Sequence, residues 1–526
     1  MRRPEMMERV FHERAEPWDL LVVGGGATGV GVALDAAARG YEVLLVEKSD
    51  FGKGTSSRST KLVHGGVRYL QQGNVALVME ALKERGILLR NAPHLVRDQA
   101  FVVPNYDWWE APFYGIGMKV YDLLATRYGF TRSRLLSKEE VKRRIPTVEE
   151  TGLRGGVLYY DGQFDDARLL VNLAETAAGQ GATLLNYAPC VSLTLDEDGF
   201  VDGAVIRDLE SGRETTVQAR AVINATGAFT DEVIRMAEPD ARPMIAPSQG
   251  VHVVLDQRFL PGDTAVMVPR TSDGRVLFAI PWNGHTLVGT TDTPIEEASL
   301  EPRPLDHEID FILDTAGEYL REPPTRADVL STFAGIRPLV RAQEGASTAS
   351  LSRDHTIHIG NSGLLSIFGG KWTTYRNMAE DCVDQAATLA RLEERPSITK
   401  TLNIHGYHRN ANRFGDLAHY GSDAPAVKDL TRSEPELAEA LDPELPIMGA
   451  QVVWAVRHEM ARTVDDVLAR RTRALQLNAR AAIRMAPATA RLMAAELDRD
   501  ENWQAGQVEE FRSLARQYLL DETPGG

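Results

Sequence analysis

Asp19-Leu-Leu-Val-Val-Gly-Gly-Gly-Ala-Thr-Gly29 is the stretch on which the fold turns. An apolar run at 20–23 leads directly into Gly24-x-Gly26-x-x-Gly29. Small residues over 30–39 predict a helix, and a second apolar run at 42–46 predicts a strand ending at Glu47. Together these make a complete βαβ unit. Gly24 permits the tight turn, Gly26 lets the backbone approach a pyrophosphate, and Gly29 lets helix and strand pack closely. The helix N-terminus offers free N–H groups and a positive dipole end to phosphates. Glu47 stands 18 residues beyond Gly29, where an acid meets an adenosine ribose 2′-OH. It would repel a 2′-phosphate, which argues against NADP. The unit predicts a dinucleotide site of Rossmann type.

The rest of the chain bounds this reading. With 526 residues, two or more domains are expected. A net charge of −16 argues against general nucleic-acid affinity, so an anionic ligand must be held by a local cluster of cations. Two cysteines, Cys190 and Cys382, cannot by themselves supply an iron–sulfur cluster or a zinc site. No metal is expected, and a reducing compartment is the default. Residues 1–16 are charged and lack the apolar core of a signal peptide. Their spacing fits a short amphipathic helix and a disordered arm equally well. No apolar run approaches the ~20 residues needed to span a bilayer.

A polar, glycine-punctuated segment follows at 52–73, then a helix over 75–92 that ends at Pro93. Residues 101–125 are rich in aromatics. Asp165-Asp-Ala-Arg168 opens another helix, followed by strand-like pieces at 183–186, 191–195 and 201–207. From 250 to 292 the pattern alternates and suggests an antiparallel sheet. The βα style returns at Leu364-Leu-Ser-Ile-Phe-Gly-Gly-Lys371, and beyond about 407 the chain reads as mainly helical. The expected fold is α/β (α+β overall). A Rossmann-like dinucleotide domain of the amino-acid-oxidase-like type would be discontinuous over 17–105, 150–245 and 330–395. A substrate-binding cap would occupy 106–149 and 246–329, and a helical domain 405–526.

Three features favour FAD over NAD. Thr55-Ser-Ser-Arg-Ser-Thr-Lys-Leu-Val-His-Gly-Gly66 directly follows the βαβ unit, and its hydroxyls and amides suit an extended pyrophosphate. A later strand ends in Ala225-Thr226-Gly227, a signature of flavoproteins with two dinucleotide-binding domains. A third ends in Gly369-Gly370 and opens a helix whose dipole suits the negative charge of a reduced flavin. The residues expected at FAD are Gly24, Gly26, Ala27, Thr28, Gly29, Glu47, Lys48, Thr55, Ser56, Ser57, Lys61, Leu62, Val191, Ala225, Thr226, Gly227, Gly369, Gly370, Thr373 and Thr374. Four cations sit in glycine- or turn-flanked segments: Arg68, Arg337, Arg353 and Lys371. Their convergence would make a phosphate or carboxylate pocket, although for any one alone a surface ion pair is the commoner explanation.

Lys61-Leu-Val-His-Gly-Gly-Val-Arg-Tyr-Leu70, Asp165-Asp-Ala-Arg168, Asn224-Ala-Thr-Gly227, Ile280-Pro-Trp282, Gly289-Thr-Thr-Asp292, Gly335-Ile-Arg-Pro-Leu339 and Phe368-Gly-Gly-Lys-Trp-Thr-Thr-Tyr-Arg376 resemble the FAD-dependent glycerol-3-phosphate dehydrogenase family. The likeness spans about 17–395 and continues into the C-terminal helices; 421–443 is less recognisable. It implies oxidation of sn-glycerol 3-phosphate to dihydroxyacetone phosphate, with hydride passing from C2 to FAD N5 and electrons to a membrane quinone. Phosphate-binding cations would then be Arg337, Arg353 and Lys371, with Arg68, Tyr69 and His252 beside them. His64 is the first choice for the base that takes the hydroxyl proton, His252 the second. The alternative gives the alkoxide to Arg337 and the proton to solvent. Rival functions are an oxidase using O₂ and a non-enzymatic flavin scaffold or sensor. A quinone acceptor implies peripheral membrane contact, on the inner face of the cell membrane of a cytoplasmic protein. Trp108, Trp109, Phe113, Tyr114 and Met118 are candidates for that contact, with the cap-domain core as their more ordinary place. The expected partners are glycerol 3-phosphate, quinone and a membrane surface, with a homodimer left open and no nucleic acid.

Overall fold

The structure, a computed structural model, describes residues 1–65, 75–106, 133–269, 271–272, 274–341 and 355–520. The opening stretch forms the strand Trp18–Val23, the helix Ala27–Ala38 and the strand Val43–Val46. Trp18–Val23 pairs in parallel with Val43–Val46 on one side and with Glu214–Asn224 on the other. The parallel order extends to Thr183–Leu185 and Leu365–Gly369, and His355–Ile359 closes one edge antiparallel. The helices Ala27–Ala38, Asp166–Gly179 and Tyr375–Leu389 share one apolar core with these strands. Parallel strands buried in this way are apolar along their length rather than alternating. Their shared direction brings the ends at Val23, Val46, Asn224 and Gly369 to one edge, where open α/β sheets bind ligands.

A second sheet is built around Ile245–Asp256, which pairs antiparallel with His285–Gly289 and Val329–Val340. It continues through Leu277–Trp282, Thr264–Val268, Val96–Asn105 and Gly155–Phe164 to Leu62–Val63. Only the pairing of Thr264–Val268 with Val96–Asn105 is parallel among the described strands of this sheet. Val251, Val253 and Leu255 face a core shared with the helix Asp306–Tyr319, whereas Val254 faces the C-terminal helices. The alternation follows from the period-2 geometry of a strand. Val96–Asn105, Gly155–Phe164 and Val329–Val340 thus lie in the second sheet, although all but Val329 fall within 17–105, 150–245 and 330–395. Apolar runs mark strands without marking which sheet they join.

The C-terminal region carries the helices Ala424–Ser433, Gly449–His458, Ala479–Leu497 and Glu501–Arg516. A two-stranded ribbon, Ala440–Asp442 with Leu445–Met448, interrupts the helices near the less recognisable stretch. Residues 391–410 are tied down: Arg395 donates to the Gly40 carbonyl at 2.9 Å, and Asn91 to the Thr399 carbonyl at 3.1 Å. At the other end, residues Arg3–Phe11 form a helix with Met6 and Val10 buried, anchored by Arg3 on Asp208 at 2.5 Å. Of the two readings of residues 1–16, the helix is the one observed.

Candidate functional site

The carboxyl ends of the parallel strands open onto a cleft. Gly24, Gly26, Ala27 and Thr28 line it, with Glu47 and Lys48 from the end of the second strand. Thr55 and Ser56, then Ala225, Thr226 and Gly227, then Gly369, Gly370 and Lys371 complete the expected lining. These segments are far apart in sequence and meet because parallel strands end together.

The glycine turn is shaped by close contacts. Gly24 has φ +112°, and a Cβ there would stand 2.7 Å from the Ala225 carbonyl oxygen. A Cβ on Gly29 would overlap the Gly24 carbonyl oxygen, so Gly29 is a packing residue beneath the turn. Above Gly26 the nearest obstacle to a Cβ is the Ser56 hydroxyl at 3.2 Å, which leaves the backbone open for close approach. Ser56 Oγ accepts the Ala27 N–H at 2.9 Å. Glu47 accepts the Gly25 N–H at 2.6 Å and the Ser49 N–H at 2.8 Å. Burial pushes the Glu47 carboxyl above its usual pKa, and these two N–H groups pull it back. A backbone cradle that any Cβ would fill, an acid at the second strand's end and glycine turns along one edge all fit FAD.

Other expected site residues are placed differently. Lys61 is fully buried, its Nζ 2.7 Å from Asp166 and 3.0 Å from the Ser57 carbonyl, away from the cleft wall. Burial and the nearby Arg473 lower its pKa to about 7 despite Asp166. Ser57 is buried and turns its carbonyl toward these cations. Leu62 packs in the second sheet's core. Thr373 and Thr374 are buried in the short turn that opens the helix Tyr375–Leu389. Pro189 and Cys190, rather than Val191, face the cleft.

His252 is 2 % exposed and stacks on Phe333 with ring centroids 4.9 Å apart. Its Nε2 shares a 2.9 Å hydrogen bond with Thr60 Oγ1. Burial, with Lys61 and Arg337 nearby, holds its pKa well below the usual histidine value. Arg337 donates to Asp292 at 3.2 Å and to the Thr291 carbonyl at 2.9 Å, and its neighbour Pro338 lines the cleft. His64 is half-buried at the end of Leu62–Val63, next to Gly65, whose N–H reaches Asp161 at 3.3 Å. Arg68, Tyr69, Arg353 and the aromatic stretch from Trp108 to Met118 lie outside the described residues.

The cleft also takes in Gly52, Lys53, Phe229, Trp372 and Met378, which the sequence reading had not singled out. Trp372 donates its indole N–H to the Ser56 carbonyl at 2.8 Å, and Lys48 Nζ lies 4.2 Å from the centre of the Phe229 ring. The triplet Gly52-Lys-Gly54 and the pair Lys371-Trp372 are signals visible in the sequence; the approach of Phe229 to Lys48 is not.

Comparison with known proteins agrees with this geometry. Residues 19–376 match the FAD dependent oxidoreductase family, and residues 365–504 match the C-terminal domain of alpha-glycerophosphate oxidase. The chain is 41 % identical to a probable mitochondrial glycerol-3-phosphate dehydrogenase of Caenorhabditis elegans, over 95 % of this chain and 73 % of that protein. It is 41 % identical to the human mitochondrial glycerol-3-phosphate dehydrogenase, over 97 % of this chain and 74 % of that one. The crystal structure of a Bacillus halodurans glycerol-3-phosphate dehydrogenase complexed with FAD superposes with a TM-score of 0.79 at 31 % identity, covering 100 % of this chain and 99 % of that one. With the family matched over most of its length and its cofactor cradle in place, the chain belongs to the FAD-dependent glycerol-3-phosphate dehydrogenases.

Proposed function

We propose that the chain oxidises sn-glycerol 3-phosphate to dihydroxyacetone phosphate and delivers the electrons to a membrane quinone. The observation that carries the substrate reading is Lys371, a cation on the wall of the cleft in a protein of net charge −16. FAD, when bound, accepts the hydride that leaves C2 of the substrate. The chain's own residues supply the rest. Lys371 offers its ammonium to the phosphate, together with Arg353, Arg68 and Tyr69. Arg337 is oriented by Asp292 and the Thr291 carbonyl, so its guanidinium is preorganised for a developing alkoxide. His64 takes the hydroxyl proton. His252 suits that role less well, because its Nε2 is engaged by Thr60 and its ring is buried against Phe333. Residues 17–105, 150–245 and 330–395 would serve the cofactor, 106–149 and 246–329 the substrate, and 405–526 the helical domain.

Quinone is apolar and resides in the bilayer, so we assign the protein to peripheral docking on the inner face of the cell membrane. Among the described residues no helix is long and apolar enough to cross a membrane. The test pairs product with acceptor: incubation with glycerol 3-phosphate and a short-chain quinone should yield dihydroxyacetone phosphate and quinol in equal amounts. A second reading, an oxidase using O₂, is favoured by the match of residues 365–504 to an oxidase domain. Hydrogen peroxide formed in preference to quinol would select it. Failure of the protein to float with liposomes would remove the docking claim.

A further inference from the structure

Residues 50–61 run beside the glycine turn, where the Gly52 N–H donates to the Gly25 carbonyl at 3.0 Å. Gly52, Lys53, Thr55 and Ser56 face the cleft, yet the segment is gripped from behind by the C-terminal region. At its start, Asp50 is fully buried and receives Arg470 Nε at 2.5 Å and Arg471 Nη2 at 2.9 Å. At its middle, Lys53 Nζ lies 2.5 Å from Asp465. Toward its end, the Ser57 carbonyl accepts three donors: Arg473 Nη2 at 2.8 Å, Lys61 Nζ at 3.0 Å and Gln476 Nε2 at 3.1 Å. Arg473 Nη2 also meets Asp166 at 2.9 Å, and Asp166 in turn accepts the Ser59 N–H and hydroxyl at 3.0 and 2.7 Å.

Charged groups this deeply buried are costly unless each is paired and hydrogen-bonded. Here the carboxylates Asp50 and Asp166 come from the cofactor-binding part, and Arg470, Arg471 and Arg473 from the C-terminal part. Such a joint has few alternative arrangements, because moving the segment would leave a buried charge unpaired. On the cleft side the same segment is held by lighter contacts: the Ala27 N–H on Ser56 Oγ, the Trp372 indole on the Ser56 carbonyl and Thr55 Oγ1 on the Ile336 carbonyl.

We infer that the C-terminal helical region is a clamp on the cofactor, with Arg473 the positioning residue that fixes Thr55, Ser56 and Ser57 through the Ser57 carbonyl and Asp166. Arg473 acts through the segment and lies behind the cleft wall. A second buried ion pair, Arg168 on Glu459, joins the same parts and makes no contact with residues 50–61 itself, its one link to them being Arg471, 3.8 Å from the Glu459 carboxylate. It provides the control. Removing either pair should lower stability, but only the first should loosen the wall over FAD.

The inference builds on the cleft being the FAD site. The test is FAD release from holoenzyme, followed by the rise of flavin fluorescence at a temperature where circular dichroism shows every variant folded. Arg473→Met should speed release about 10–100-fold, the scale of one lost charge-assisted hydrogen bond. Arg473→Lys should recover part of that, and Arg168→Met should release FAD at the parent rate while melting earlier. Should Arg473→Met fail to fold, Gln476→Leu removes one donor from the same carbonyl and should speed release by a smaller factor, about 3-fold or more. Equal release rates in the Arg473 and Arg168 variants, or a parent rate in Gln476→Leu, would overturn the clamp. A parent chain that purifies without flavin and cannot be loaded would instead defeat the reading of the cleft.

Discussion

The two sides of the cleft are built by different means. On the glycine-turn side the lining is mostly backbone, with the Gly25 and Ala27 N–H groups held by Glu47 and Ser56 and side chains kept off the turn by contact distances. Elsewhere on the lining the polar groups are long side chains, Lys371 and Trp372 among them. A backbone cradle is built by one local stretch and fails by steric intrusion. A side-chain cluster is built by segments hundreds of residues apart and fails by loss of charge. In the proposed function the first would hold the cofactor and the second would choose the substrate.

That contrast predicts an order of damage. Gly29→Val should be the most severe change, because its Cβ must displace the Gly24 carbonyl and with it the whole turn. The purified protein should contain no flavin and turn over no substrate; a flavin-loaded, active variant would break the cradle account. His64→Ala comes next, with flavin reduction slowed about 10²–10⁴-fold at unchanged flavin content. A larger loss in His252→Ala would move the proton to that residue. Lys371→Met should cost about 10–100-fold in kcat/KM, mostly in KM, while FAD stays bound. An unchanged KM would remove Lys371 from the phosphate.

Glu47→Gln is the mildest change, with FAD affinity falling about 10-fold through one weakened charge-assisted hydrogen bond. It also carries a pH signature in the flavin-free protein. Burial raises the Glu47 pKa, so the folded state holds a proton that the unfolded chain releases. That contribution is present below the ordinary carboxylate pKa and is lost as pH rises through the folded value. Glu47→Gln should flatten this part of the stability curve, as chemical denaturation at several pH values would reveal.

The same contrast separates what the sequence discloses from what it hides. The turn at Gly24, the acid at Glu47 and the late Gly369-Gly370 were legible because each is local: a run of apolar residues, then glycine, then small residues. Lys371 was legible as a candidate by its glycine neighbours. Lys61 and Ser57 looked like cofactor contacts because they follow Thr55 and Ser56, and no periodicity reveals that the chain there turns its back on the cleft to meet Asp166 and Arg473. The strands Val96–Asn105 and Gly155–Phe164 were hidden in the same way, since sheet membership depends on register with distant partners. The approach of Phe229 to Lys48 depends on side-chain direction, which spacing alone does not encode.

The most direct measurement is anaerobic mixing of the FAD-loaded protein with sn-glycerol 3-phosphate, watched in the oxidised flavin band. The account predicts rapid bleaching of the whole band, formation of one dihydroxyacetone phosphate per flavin, and restoration of the band on adding quinone. A flavin band that stays oxidised with saturating glycerol 3-phosphate would contradict it.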